Sequence, residues 1–308
     1  MTAATTAWGV ELQHVTQRYG DVTALDDVTL TIRAGTITGL LGRNGSGKST
    51  MGSLLAAFRR PTAGRVLVDG EEPWENERVV PGVCFVRESG DVLDDYSLKD
   101  NLAYFSGARP WFSHELAGEL LDLFELDLQR KPSKLSRGKK SAFGIVVGLA
   151  SRAQLTILDE VHLGLDAPSR YAFYDALLAD YAEHPRTIVL SSHLIDEIER
   201  LLEEVVVLDR GRVLVTQDVE GLRAEGVSVT GPAAAVADFV AGRDVLATQR
   251  LGGTTQTTVR GALLEGDVRR AREAGLELGP VPLQDLFVHL TDPGRTGGAG
   301  ADVQGADR

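Results

Sequence analysis

The residues with the clearest chemical purpose form one short run, Gly42-Arg43-Asn44-Gly45-Ser46-Gly47-Lys48-Ser49-Thr50. Its glycines let successive backbone N–H groups converge on phosphate oxygens. The Lys48 ammonium can reach the two outer phosphates of a nucleoside triphosphate, and the Ser49 hydroxyl can ligate Mg²⁺. A glycine-rich turn can imitate such a run by accident. Here an apolar stretch, Ile37 to Leu41, leads into it, and a helical pattern from Lys48 to about Phe58 leads out, stopped by Pro61. That helix would point its positive end at the same anion.

Two further strand ends carry candidates. The apolar run Leu155-Thr156-Ile157-Leu158 delivers Asp159 and Glu160 to the edge where open α/β sheets bind ligands. Asp159 is placed to hold Mg²⁺ directly or through water, and Glu160 to orient or deprotonate an attacking water. An isolated Asp-Glu pair could equally cap the next helix; a phosphate loop in the same chain favours the chemical reading. His193 ends Leu190-Ser191-Ser192-His193. Position alone leaves a γ-phosphate contact and a structural role equally open to it.

These candidates need a scaffold that brings three strand ends to one edge, and the hydrophobic pattern supplies it. Val10–Val15 and Val28–Ile32 alternate with period two on either side of a Gly20-Asp21 turn, and Arg65–Asp69 reads as another strand. From Leu93 to Lys131 the pattern is helical, with Leu116, Leu120, Leu121, Leu123 and Phe124 largely on one face. Strand-like runs return at Leu155–Leu158, Thr187–Ser191 and Val205–Leu208, separated by helical stretches. Such alternation predicts a largely parallel sheet covered on both faces. The fold expected is α/β: a phosphate-loop NTPase core with an antiparallel β subdomain and a helical subdomain. A boundary falls near residues 221–226. Beyond it, residues 226–291 predict a small C-terminal α+β domain, compatible with a ferredoxin-like arrangement. Residues 292–308, rich in Gly, Ala and Asp without apolar periodicity, read as a disordered tail.

Composition narrows the partners. A net charge of −12 argues against nucleic acid as a ligand, because phosphate backbones recruit Lys and Arg, and against direct adsorption to anionic lipid. It leaves a membrane-bound protein partner open. No run approaches the roughly 20 apolar residues of a membrane span, and Met1 to Trp8 lacks the basic start and apolar core of a secretion signal. The single cysteine, Cys84, cannot form an internal disulfide and fits a reducing cytoplasm.

Between the two strand-end motifs lies Leu135-Ser136-Arg137-Gly138-Lys139, 20 residues before Leu155. With that segment in place, residues 8–220 resemble the nucleotide-binding domain of ATP-binding cassette (ABC) transporters, whose signature reads Leu-Ser-Gly-Gly-Gln. Their helical segment would span about 89–140. Tyr19 sits where the family stacks an aromatic on adenine, Gly164-Leu165-Asp166 resembles its D-loop, and His193 matches its switch histidine. The resemblance implies ATP and Mg²⁺ as ligands and a head-to-tail dimer, homomeric or with another nucleotide-binding domain. Each ATP would lie between the Gly42–Thr50 loop of one subunit and Ser136, Arg137, Gly138 and Lys139 of the other. Two departures stand out. Arg137 and Lys139 replace a Gly and the Gln of the signature, and Glu88 takes the place of the family's usual glutamine. A carboxylate there can still ligate Mg²⁺ beside Ser49 and Asp159, though Glu88 could instead cap the helical segment.

The function so implied is that of an ATP-hydrolysing subunit, peripheral on the cytoplasmic face of the plasma membrane, driving a separate transmembrane permease. The C-terminal stretch Leu283–Thr291 resembles subunits that serve exporters of the ABC-2 type. The alternatives are a soluble ABC ATPase of translation or DNA repair, and an ATP sensor with a regulatory role.

Overall fold

The computed structural model describes residues 7–88, 91–261 and 263–291, so the expected tail, 292–308, lies outside the described residues. The described chain divides into two compact units: residues 7–194 with 200–216, and residues 195–199 with 217–291.

In the first unit, β1 (Val10–Tyr19), β2 (Val22–Ile32), β3 (Ile37–Leu41), α1 (Lys48–Leu55), β4 (Ala63–Val68) and β5 (Val83–Arg87) come first. Three helices follow, α2 (Leu98–Ala108), α3 (His114–Leu123) and α4 (Arg137–Ala150), then β6 (Leu155–Asp159), α5 (Ala167–Glu183) and β7 (Thr187–Ser192). The short α6 (Ile195–Ile198) belongs to the second unit. The chain then returns through β8 (Glu204–Asp209) and β9 (Arg212–Asp218).

Strands β2-β1-β4 make an antiparallel sheet, and a six-stranded sheet runs in the order β5-β6-β7-β3-β8-β9, parallel from β5 through β8. The sequence explains the difference. Strand β1 alternates buried and exposed side chains over much of its length, whereas every residue of β3, β6 and β7 is buried; strands covered on both faces read as unbroken apolar runs. One core joins the two sheets, with Leu12, Leu25, Met51, Leu54, Phe85 and Ile157 among its members. Burying each such side chain contributes about 1.5–3 kcal/mol. Helix α4 is covered along its whole length from Ser141 to Ala150, so it acts as a core helix and not as an amphipathic surface one.

Register sets the edge. Leu41 pairs with Ser192 and Asp159 with Ser191, so β3, β6 and β7, adjacent in the sheet, end at one level. The loops after them hold the phosphate-loop residues, Glu160 and His193.

The second unit continues with α7 (Val219–Ala224), β10 (Gly226–Pro232), α8 (Ala233–Val240), β11 (Val245–Leu251), β12 (Thr254–Arg260), α9 (Glu265–Glu273), β13 (Glu277–Gly279) and α10 (Leu283–Leu290). From β10 to β13 the order is βαββαβ, and the sheet runs β11-β12-β10-β13 with every pair antiparallel: the ferredoxin-like arrangement. Val229, Val236, Phe239, Val259, Ala271 and Leu276 form its core. Strand β13 is only three residues long, too short for alternation to reveal it in the sequence. No helix among the described residues is long and apolar enough to cross a membrane.

Candidate active site

The phosphate loop is a shaped cradle. Gly47, the N-cap of α1, has φ +112°, and a Cβ there would lie 2.7 Å from the Ala24 carbonyl oxygen, so only glycine fits. No side chain caps α1. Its first N–H groups therefore remain available to an anion, with the helix dipole adding positive potential. The Gly211 N–H donates to the Ser46 carbonyl (2.9 Å) and braces the loop from the β8–β9 turn. Within this ring the Ser46 hydroxyl is buried without a hydrogen-bond partner among the described residues, an exception in a folded protein and one that a phosphate oxygen would resolve.

Lys48, 5% exposed, donates to the carbonyls of Gly42 (2.7 Å) and Arg43 (3.3 Å) and lies 3.3 Å from Glu160 Oε1. The same oxygen lies 3.2 Å from His193 Nδ1. One carboxylate atom thus gathers the side chains of three strand ends. Glu160 reaches them from a left-handed backbone, φ +55°, a conformation costing about 1–3 kcal/mol and concentrated at functional positions. Its N–H is tied to the Ser191 carbonyl (3.1 Å). Beside it, the buried Asp159 accepts a 2.6 Å hydrogen bond from Ser191 Oγ at Oδ1, which orients the carboxylate and leaves its other oxygen for a cation. His162, buried in the turn after Glu160, lies 3.0 Å from Ser192 Oγ through Nε2 and ties the ends of β6 and β7 together. No sequence signal marks that pair, because the two residues are thirty positions apart.

The signature residues gather elsewhere in this unit. Ser136 is the N-cap of α4, its hydroxyl accepting from the Lys139 N–H (3.3 Å). Ser136, Gly138 and Lys139 line a cleft of about 450 Å³ with Gly164, Leu165 and Asp166. Gly138 is demanded by packing: a Cβ would sit 2.6 Å from the Gly164 carbonyl oxygen. Lys139 reaches across this cleft, its ammonium on the Phe124 carbonyl and 3.7 Å from Glu125. Asp166 caps α5, and its hydrogen bonds to Ser169 hold its carboxyl below the usual carboxylate range.

Two residues have company that the sequence did not reveal. The Glu88 carboxylate is paired with the Arg137 guanidinium, and Ser141 Oγ donates to the Glu88 carbonyl (2.7 Å). The expected Mg²⁺ ligand is therefore engaged by the signature segment of its own chain. Tyr19, half-exposed at the end of β1, carries the Arg59 guanidinium 5.1 Å from its ring centre, so an adenine would share the ring with a cation.

The donor set fits Mg²⁺ bound together with a triphosphate. Among the described residues no three His, Cys, Asp or Glu side chains form a metal cluster. A hard cation held by the Ser49 hydroxyl and the free Asp159 oxygen would take its remaining ligands from phosphate and water. Bound there, the ion would neutralise charge between the outer phosphates.

Fold and site together define an ABC-type phosphate-loop ATPase. The sequence profile of the ABC transporter family matches residues 25–162. The ABC transporter ATP-binding protein YtrB of Bacillus subtilis (strain 168) is 30% identical over 220 residues, covering 71% of this chain and 75% of that protein. The daunorubicin resistance ATP-binding protein DrrA3 of Streptomyces coeruleorubidus is 30% identical over 304 residues, covering 91% and 94%. Among solved structures, the dimeric ATP-binding cassette MJ0796, in a post-hydrolysis state with ADP and Pi, matches with a TM-score of 0.60 at 25% identity, over 68% of this chain and 98% of that one. The chain belongs to the ABC transporter family, as one of its ATP-binding, ATP-hydrolysing subunits.

Proposed function

We propose that this subunit powers a separate membrane permease by ATP-driven closure of two cassettes, each ATP held between the Gly42–Thr50 loop of one and Ser136, Arg137 and Gly138 of the other. The observation that carries the reading is the convergence of Lys48 and His193 on one Glu160 oxygen. In this assignment the Ser46 hydroxyl, the loop N–H groups and Lys48 bind and neutralise the outer phosphates. Ser49 and Asp159 hold Mg²⁺. Glu160 orients the attacking water and accepts its proton, while His193 steadies that carboxylate and faces the γ-phosphate. The paired state receives support from the dimeric relative of known structure, and export as the direction of transport from the likeness to DrrA3 along most of both chains.

The test is the Glu160→Gln chain. It should bind ATP, lose turnover and accumulate as an ATP-bound dimer; undiminished turnover would remove Glu160 from its role. Co-purification of the native chain with a multi-span protein from solubilised membranes tests the permease. Finding it wholly with ribosomes or DNA would instead favour a soluble ABC ATPase. A chain that binds ATP but never turns it over would favour a regulatory sensor.

A further inference from the structure

Resting on that reading of the paired cassettes, we propose that Arg137 exchanges counter-ions during the cycle. It leaves Glu88 of its own chain for the γ-phosphate of the ATP bound by the partner subunit. Arg137 lies between Ser136, the N-cap of α4, and Gly138, so it stands where the positive end of that helix meets an anion. Its side chain is 74% exposed and is paired with the Glu88 carboxylate; an exposed pair of this kind is weak and readily given up. Glu88, 27% exposed, follows Arg87, which pairs in register with Asp159. Glu88 therefore leaves the sheet at the same edge as Glu160. Ser141 holds the Glu88 backbone against α4, so the carboxylate stays put while the guanidinium is free to swing.

Charge gives the exchange its direction. A carboxylate offers Arg137 one negative charge, whereas a terminal phosphate carries about −1.5 to −2 and three strong acceptor oxygens. A guanidinium fork matches two of them at once. The exchange also explains why two departures from the family pattern occur in one chain. A carboxylate at position 88 adds negative charge at the strand-end edge that already carries Asp159 and Glu160, of which Glu160 faces Lys48. The arginine at 137 offsets it within the chain at rest, and offsets the phosphate across the dimer when closed. The two substitutions make one charge-balanced unit.

The experiment measures ATP-driven dimerisation by sedimentation, in a Glu160→Gln background. Arg137→Gln should weaken dimerisation about tenfold, the value of one charge-assisted contact, while leaving ATP affinity of the monomer unchanged because the contact is made in trans. Glu88→Gln should strengthen it about threefold, since the cation no longer has a competitor. The reversed pair, Glu88→Arg with Arg137→Glu, separates exchange from a plain brace: it restores the ion pair but aims a carboxylate at the phosphate, so dimerisation should be lost. Recovery of native affinity in the reversed pair, or no effect of Arg137→Gln, would overturn the exchange. If the Glu160→Gln chain with native Glu88 and Arg137 stays monomeric with ATP, the paired-cassette reading itself fails and the exchange falls with it.

Discussion

The first unit contains two clusters built from the same parts, a carboxylate flanked by two nitrogen bases, and they serve opposite ends. At the C-terminal ends of the parallel strands, Glu160 meets Lys48 and His193 through one oxygen, with side-chain exposures of 20%, 5% and 31%. At the N-terminal ends, Asp180 of α5 meets Arg152 at 2.9 Å and Arg186 at 2.7 Å. In that second cluster Asp180 is 3% exposed and Arg186 1%, while Arg152, 25% exposed, covers the pair from outside. Burial pushes the Arg186 guanidinium below its ordinary value, against the pull of Asp180, and its Nε and Nη2 have no hydrogen-bond partner among the described residues. The lesson is one of placement. In a parallel sheet the C-terminal edge opens into loops and can admit a ligand, so a charged cluster there can do chemistry. The cluster at the other edge, just before β6 and β7, ties the end of α5 to the starts of those strands.

The contrast breaks first on the Asp180 cluster. Asp180→Ala leaves two cations without a counter-ion, one of them fully buried, and should cost about 3–5 kcal/mol of stability in denaturant unfolding; a loss below about 1 kcal/mol would mean that the cluster is ornamental. Glu160→Gln is the mirror experiment. It should reduce turnover about 100-fold or more while moving the unfolding midpoint little, since a half-buried carboxylate is exchanged for an isosteric amide. If it unfolds the protein instead, the two clusters do not differ in kind. Lys48→Ala should weaken ATP binding by about ten- to a hundredfold in a nucleotide titration, through loss of one charge-assisted contact to phosphate.

The smallest effect sharpens the rule by removing the cation. In the second unit the Asp196 carboxyl is pushed above its ordinary value, chiefly by partial burial and then by the negative charges of Glu199, Asp285 and Glu197. A raised carboxyl favours the protonated folded form, so its favourable contribution is complete below the unfolded value near 3.8 and disappears as pH rises through the folded value. At pH 7 the ionised group therefore destabilises this unit. Asp196→Asn should raise stability at pH 7 by about 0.5 kcal/mol or less, given its exposure, and the gain should vanish near pH 3. Parallel thermal melts at the two pH values read it out.

His193 stood out only through the family resemblance, whereas the phosphate loop, Asp159 and Glu160 were legible at one strand-end edge because each sits within a few residues of a strong local pattern: an apolar strand, a glycine turn or a helix start. The ferredoxin-like unit was legible for the same reason, save β13, which is too short to show a period. What the sequence hid is contact across long separations. Nothing local says that Glu88 finds Arg137, forty-nine residues on, or that His162 meets Ser192. Alignment alone offers Glu88 as a Mg²⁺ ligand or as a cap of the helical segment, and shows nothing of its neighbours. In the structure that carboxylate is paired with Arg137.

Gly138 has a consequence for how variants of this protein should be interpreted. Its missing side chain is required by the carbonyl of Gly164, a neighbour in the same chain, whatever else the position touches. A substitution there would displace the Gly164 backbone of its own chain before any partner arrived. Loss of function in such a variant is therefore no proof of phosphate recognition, and the informative lesions at the signature are those that change charge and leave volume alone.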